Sequence, residues 1–188
     1  MRVYLAGPDV FLEDAQAFGD AKAAVCRRYG LIGCFPLDNA LSLDRLSPRQ
    51  QGQAIFRANV KMMDACQAVI ANLTPFRGPS ADVGTAWELG YMFSQEKALF
   101  AYSNVTADYQ DRAPKDDGMV VEAFEMADNL MLHAALLASG QDVLRPERAV
   151  ADPQRELRVF ERCVAAAAAG LLNPGQREDQ PRRAAAMR

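Results

Sequence analysis

Residues 68–73, Ala-Val-Ile-Ala-Asn-Leu, constrain this chain more than any other stretch. So short an apolar run, bounded by turn signals, is the pattern of a buried strand in a parallel sheet. A loop bearing Pro75, Gly78 and Pro79 follows it. Then comes a helical stretch over 81–95, for which Ser80 is a candidate N-cap. A strand end, a loop and a helix start form the usual ligand crevice of an open α/β sheet. Into that crevice the sequence puts two carboxylates, Asp82 and Glu88.

Their spacing sets a condition. Six residues at about 100° each turn through roughly 600°, so on one helix the two side chains point about 120° apart. They converge only if Asp82 sits at the helix mouth and Glu88 points inward one to two turns later. Gly84, four residues before Glu88, leaves space beside that carboxylate, and Gly90 allows close backbone packing. Val83, Ala86, Trp87, Leu89 and Tyr91 are apolar or aromatic, so Glu88 is expected to be partly desolvated. The plain alternative is a solvated helical glutamate, which most are.

The first strand is expected at 3–6, ended by Gly7-Pro8-Asp9 at the same sheet edge as the central loop. Tyr4 reads equally as core or as a phenol reaching into the crevice. Phe11 either covers the site or staples the loop. A helix over 14–29 carries Ala17, Ala21, Ala24, Val25 and Arg28 at helical spacing. The second strand, 31–35, ends in Pro36-Leu-Asp-Asn39. This makes Asp38 a site candidate, although Asp and Asn in turns more often bond their own backbone.

A polar connection over 41–52 leads to a helix at 53–66, with Ile55, Phe56, Val60 and Met63 expected inward and Asn59 within it. A fourth strand follows at 98–102. The loop at 103–118 is long enough to act as a lid or an interface. An apolar segment at 119–124, a helix at 129–138, a short fifth strand at 143–147 and an Ala-rich helix at 154–172 complete the pattern. We expect one domain over 1–173 and a charged, aperiodic tail over 174–188. Alternating β and α elements predict an open parallel sheet of about five strands with helices on both faces.

Composition excludes several classes of function. A net charge of −3 gives no basic footprint for nucleic acid. No apolar run approaches the length of a membrane span, and the N-terminus lacks the pattern of a signal peptide. The cysteines Cys26, Cys34, Cys66 and Cys163 are widely spaced and read as reduced core thiols of a cytoplasmic protein. The single histidine, His133, lies in an apolar helical run and reads as structural. Its isolation argues against a metal site and against Ser-His or Cys-His chemistry. Neither GxGxxG nor GxxxxGK[ST] is present.

Two motifs together resemble those of the nucleoside 2-deoxyribosyltransferases. They are Tyr4-Leu-Ala-Gly-Pro8 and Asp82-Val-Gly-Thr-Ala-Trp-Glu-Leu-Gly90. Asn72-Leu-Thr-Pro-Phe-Arg-Gly78, Pro36-Leu-Asp-Asn39, Val121-Glu-Ala-Phe and Asn129-Leu-Met-Leu132 are similar to one branch of that family, and the likeness runs from Met1 to about Ser139.

The resemblance implies a flavodoxin-like fold, no cofactor, 2′-deoxynucleoside and free nucleobase as substrates, and a homo-oligomer. It makes Glu88 the nucleophile, Tyr4 its hydrogen-bonding partner and Asp82 a substrate contact beside it. Gly7 and Pro8 would admit the base to backbone, with Phe11 stacking on it. Asp38, Asn59, Arg77 and Gly78 would line the substrate crevice. Asn129 would reach a neighbouring subunit's site and bind the deoxyribose hydroxyl.

One departure stands out. Many members carry an Asp where this chain has Asn59, and an amide cannot deliver a proton at neutral pH. Asp82, Asp38 or water are the alternatives as proton source. Burial would raise the Glu88 pKa, while Tyr4 and the helix mouth would lower it, and the second effect is expected to win. Two rival functions remain. One is a hydrolase of nucleosides or nucleoside 5′-monophosphates, with phosphate on the amides of 78–81. The other is a non-catalytic nucleotide-binding module, which would release no base.

Overall fold

A computed structural model describes residues 1–172. Its strands are β1 (Arg2–Ala6), β2 (Ile32–Cys34), β3 (Ala68–Asn72), β4 (Ala98–Tyr102) and β5 (Val143–Leu144). They pair in parallel in the order β2-β1-β3-β4-β5, which is the flavodoxin-like order. The helices are α1 (Ala15–Arg28), α2 (Pro48–Asp64), α3 (Val83–Ser94), a single turn α4 (Tyr109–Arg112), α5 (Leu130–Ala138) and α6 (Arg158–Leu172). The expected tail lies outside the described residues.

Strand alternation assigns the two cores. Val3 and Leu5 of β1 and Ala68 and Ile70 of β3 pack on one face, with Val25 and Cys26 of α1 and Phe160 and Val164 of α6. Tyr4, Ala6, Val69 and Ala71 face the other way, onto Met63 of α2, Leu89 and Met92 of α3 and Leu136 of α5. Every residue of β3 is buried, as its continuous apolar run requires. The same alternation turns Tyr4 toward α3.

Several expectations are corrected. α2 begins at Pro48, five residues before the expected start at 53. Ser47 caps it through a reciprocal pair with Gln50, and Pro48 takes the first helical position, a start signal that the polar composition of 41–52 concealed. Ile55 and Phe56 face solvent rather than the core, where Met63 sits. On α1 the buried face is Ala15, Phe18, Gly19, Lys22, Val25 and Cys26, while Ala17 and Arg28 are exposed. Counting alanines missed it because the face includes a lysine. Gly90 has no neighbour within 4 Å of a Cβ built there, so it serves no close packing. Residues 154–157 are not helical, and Met119, Val120 and Phe124 are exposed on irregular backbone.

Lys22 is fully buried. Its ammonium donates to Asp9 Oδ2 at 2.5 Å and to Tyr102 Oη at 3.3 Å, and lies 4.6 Å from the Phe160 ring centre. Asp9 Oδ1 accepts from Asn72 Nδ2 at 3.0 Å, and Asn72 Oδ1 accepts the Thr74 N–H at 3.0 Å. A buried charge is tolerated only when paired and hydrogen-bonded in this way. The network ties the turn after β1 to the ends of β3 and β4. Lys22→Met should leave Asp9 unpaired and cost about 3 kcal/mol or more in denaturant unfolding. The double variant with Asp9→Asn should recover part of that loss. Equal stability of all three proteins would refute this account of the network.

Candidate functional site

The site is built where β1, β3 and α3 meet. Tyr4, fully buried on β1, donates its hydroxyl to Glu88 Oε1 at 2.5 Å. Tyr4 is thus both core and crevice, because the ring packs in the sheet while its oxygen reaches α3. Burial and the neighbouring carboxylate hold the phenol protonated well above its usual range, so it stays a donor.

Glu88 is partly buried on α3. Burial pushes its pKa up to about 7, the Tyr4 hydrogen bond pulls it down, and the charge of Asp82 adds a smaller upward push. The expectation that lowering would win is therefore corrected. Desolvation outweighs one hydrogen bond, and Glu88 lies beyond the first turn of α3, where the helix dipole has faded.

Asp82, not Ser80, caps α3. Its Oδ2 accepts the Thr85 N–H at 3.0 Å and the Thr85 hydroxyl at 3.2 Å. This meets the spacing condition, with Asp82 at the mouth and Glu88 inward. A Cβ on Gly84 would stand 3.0 Å from Asp82 Oδ2, so that glycine makes room for the cap rather than for Glu88.

The turn after β1 is close-packed. A Cβ on Gly7 would stand 2.7 Å from Asp9 Oδ2 and 2.9 Å from Asn72 Cβ, so only glycine fits. Pro8 opens the 3-10 turn Pro8–Phe11 and is buried. Phe11 is exposed and stacks on Phe76, with ring centres 5.2 Å apart and planes at 13°. The Arg77 guanidinium lies 4.7 Å from the Phe76 ring centre and 5.2 Å from that of Phe11. Arg77 itself takes φ 54°, a left-handed backbone that a side chain rarely adopts, and Gly78 beside it is open. These residues form an aromatic and cationic stack between the loop after β1 and the loop after β3.

Asp38 bonds its own turn, accepting the Phe35 N–H at 2.9 Å. Asn39 Nδ2 donates to Asn59 Oδ1 at 3.3 Å, which brings Asn59 of α2 to the loop after β2. Asn129 caps α5, its Oδ1 accepting the Met131 N–H at 3.0 Å. His133 Nδ1 accepts the Ala127 N–H at 2.9 Å, so Nε2 carries the proton toward Asp142 Oδ1 at 2.7 Å.

Sequence reasoning passed over Asp9, Lys22, Asn72, Arg112 and Asp128. Asn72 had a visible cue, as a polar residue inside a buried strand. Asp9 adjoins Gly7-Pro8 and Asp128 adjoins Asn129, but nothing in the periodicity marks Lys22 or Arg112. Among the described residues no group of three or more His, Cys, Asp or Glu could hold a metal ion, and no helix is long and apolar enough to cross a membrane.

The family model for nucleoside 2-deoxyribosyltransferase matches residues 3–131. A solved 2-deoxyribosyltransferase from Leishmania mexicana is similar at 34% identity and a TM-score of 0.60, covering 70% of this chain and 85% of that one. An uncharacterized protein of Schizosaccharomyces pombe is 37% identical over 103 residues, which are 54% of this chain and 49% of that protein, so the match spans about half of its length. A conserved protein of Enterococcus faecalis, at 16% identity and a TM-score of 0.54 over 89% of this chain and 98% of that one, shares the fold.

The Tyr4–Glu88 bond yields a signed prediction. A donor to a carboxylate favours its ionised form, so Tyr4→Phe should raise the Glu88 pKa above about 7 by roughly one unit. Carbon-13 NMR titration of the labelled Glu88 carboxyl would measure it, and an unchanged or lower value would contradict the assigned role of Tyr4.

Proposed function

This chain belongs to the nucleoside 2-deoxyribosyltransferase family, and from that premise we propose that it moves the 2-deoxyribosyl group between the nucleobases of 2′-deoxynucleosides. The observation that carries the reading is a partly desolvated carboxylate, Glu88, receiving a hydrogen bond from a buried phenol in the crevice of a parallel sheet. Breaking an N-glycosidic bond develops positive charge at C1′ and the ring oxygen. A carboxylate beside C1′ stabilises that charge and then traps it.

In the first step the ionised Glu88 attacks C1′. The bond from C1′ to the base nitrogen breaks, and its electron pair leaves with the base. Tyr4 keeps one carboxylate oxygen fixed, so the other presents its lone pair to the sugar. The leaving base takes a proton from water, since Asn59 has none to give at neutral pH, Asp38 is engaged with the Phe35 N–H and Asp82 with the Thr85 N–H and hydroxyl. In the second step a nitrogen of the incoming base attacks C1′ from the face the first base left. The ester bond to Glu88 breaks with its electron pair returning to the carboxylate, and the incoming base gives its proton to solvent, which restores the proton taken in the first step. Two displacements give net retention. Asp82 contacts the sugar beside Glu88, while Gly7 and Pro8 receive the base beside the Phe11 stack. No cofactor takes part.

Free nucleosides are favoured over 5′-monophosphates because two carboxylates stand at the start of α3 and take part of its donor set. Asp82 accepts the Thr85 N–H, and Asp128 accepts the Ser80 hydroxyl and the Ala81 N–H. A phosphate would meet these two carboxylates instead. The four buried, free cysteines suit a reducing cytoplasm.

Phe56, Trp87 and Tyr91 form an aromatic cluster on the outer side of α2 and α3, with ring centres 5.1–5.4 Å apart between neighbours. Trp87 is 47% exposed and Val83 84% exposed. This apolar face is the contact for a second copy of the chain, across which Asn129 reaches a neighbour's sugar site.

The reading is tested by incubating the protein with 2′-deoxyinosine and adenine and separating the products by chromatography. Deoxyadenosine should form with the wild type and be lost with Glu88→Ala, and 2′-deoxyinosine 5′-monophosphate should not serve as a donor. Hypoxanthine without deoxyadenosine would make the protein a hydrolase, and no reaction with any donor would make it a binding module. For the assembly, Val83→Asp should give a monomer in sedimentation with little activity. A fully active monomer would refute the shared site.

A further inference from the structure

Asp128 lies immediately before Asn129 and its side chain is fully buried. Its Oδ2 accepts the Ala81 N–H at 3.0 Å and Nη2 of Arg112 at 3.3 Å. Its Oδ1 accepts the Asn129 N–H at 2.8 Å and the Ser80 hydroxyl. One carboxylate thus holds the backbone leading into Asp82, the cap of α3, and the backbone of Asn129, the cap of α5.

Arg112 completes the clasp from the other side. Its Nε donates to the Pro79 carbonyl at 2.9 Å, Nη1 to the Ala107 carbonyl at 2.5 Å, and Nη2 to the Ala127 carbonyl at 2.9 Å. Arg112 therefore grips the carbonyls just before the groups that Asp128 grips by their donors. Both charges are shielded from water, and the fixed fork of the guanidinium sets the spacing between the chain segments it bridges. His133 braces the same segment through the Ala127 N–H.

We infer that Asp128, set by Arg112, is a positioning residue for the transfer reaction: it fixes the mouth of α3, and so Asp82 and Glu88 of this chain's own site, and by the same carboxylate the start of α5, whose Asn129 serves the neighbour's site. The inference rests on the function proposed above. Without this clasp, Ser80 and Ala81 are joined to the helix-start segment at 127–129 only through neighbouring packing. A displacement of about 1 Å of either group from the sugar it must meet is enough to lower turnover strongly. The single turn α4 thereby gains a task, since it carries the arginine that bridges the two helix starts. In the sequence the surrounding segment, 103–118, reads as a lid or an interface.

Asp128→Asn is the test, because it keeps the side-chain shape and removes the charge and one acceptor. The mutant amide oxygen can still accept from one pair of donors, but the amide nitrogen confronts the other pair with its own N–H groups. Three readouts are needed on the full chain. Hydrogen exchange of the Ala81 and Asn129 amides should speed up about tenfold or more, as expected for loss of a charge-assisted hydrogen bond. In the base-exchange assay kcat should fall by about 10- to 100-fold, with KM for the acceptor base within about twofold of the wild type. Asp128→Glu should recover less than the full rate, because its longer stem moves the carboxylate. Unchanged amide exchange with unchanged kcat would overturn the inference, and so would a rise in acceptor KM with kcat preserved. If Asp128→Asn does not fold, Ser80→Ala removes one donor to the same carboxylate. It should lower kcat with the fold intact, and wild-type kcat in that variant would overturn the inference. The exchange readout needs no turnover, so a wild type that transfers no sugar would sink the proposed function while leaving the clasp itself testable.

Discussion

The hydrogen bond from Tyr4 to Glu88 is the interaction on which the site depends. It joins the centre of the sheet to the helix that follows β3, and it exists only because β1 lies beside β3 in a parallel array. Strand alternation sends Tyr4 to the same face as α3, and the cap at Asp82 sets the rotation of that helix so that Glu88 points back. Each of these is an ordinary local preference. Their coincidence puts a carboxylate where water is scarce and its charge is held by a donor too weakly acidic to give up its proton. The resulting pKa, about 7, leaves the group partly ionised at neutral pH, so a modest change in its surroundings moves it between a resting acid and a nucleophile.

Two buried charge clasps surround that bond. Lys22 and Asp9 hold the turn after β1 against the ends of β3 and β4. Arg112 and Asp128 hold the start of α3 against the start of α5. Buried ion pairs are weak sources of net stability but strict about geometry. They occur here at the polar edge of the sheet, where loops rather than strands must hold their positions. The apolar cores fix the strands and helices to within the tolerance of side-chain packing. The clasps then fix the loops that must meet a ligand.

The fold was legible because its signals are local. A buried run at 68–73, helix stretches between strands and turn residues at three strand ends define the parallel sheet before any contact is known. Tyr4, Asp82 and Glu88 were legible for a related reason, since each sits at a position where chain direction and helix geometry limit where the side chain can go. Phe56 and the start of α2 were not. An exposed aromatic carries the same sequence pattern as a core one, and the Ser47–Gln50 cap lay inside a stretch that composition marked as loop. Lys22, Asp128 and Arg112 were hidden more deeply. Their partners lie 13, 47 and 33 residues away, and charge-assisted hydrogen bonding at such range leaves no periodicity to read. The direction of the Glu88 shift was missed because the apolar neighbours on one helix show that the group is desolvated but not how far, and the whole fold buries it enough to outweigh the Tyr4 bond.

The covalent step is the central claim, and mass spectrometry tests it most directly. The protein would be incubated with a 2′-deoxynucleoside in the absence of acceptor base, quenched in acid and digested. The account predicts free base together with one added deoxyribosyl group on the peptide that contains Glu88, with the sugar bonded to that carboxylate. Release of base with no adduct on any peptide, or an adduct on a different residue, would contradict it.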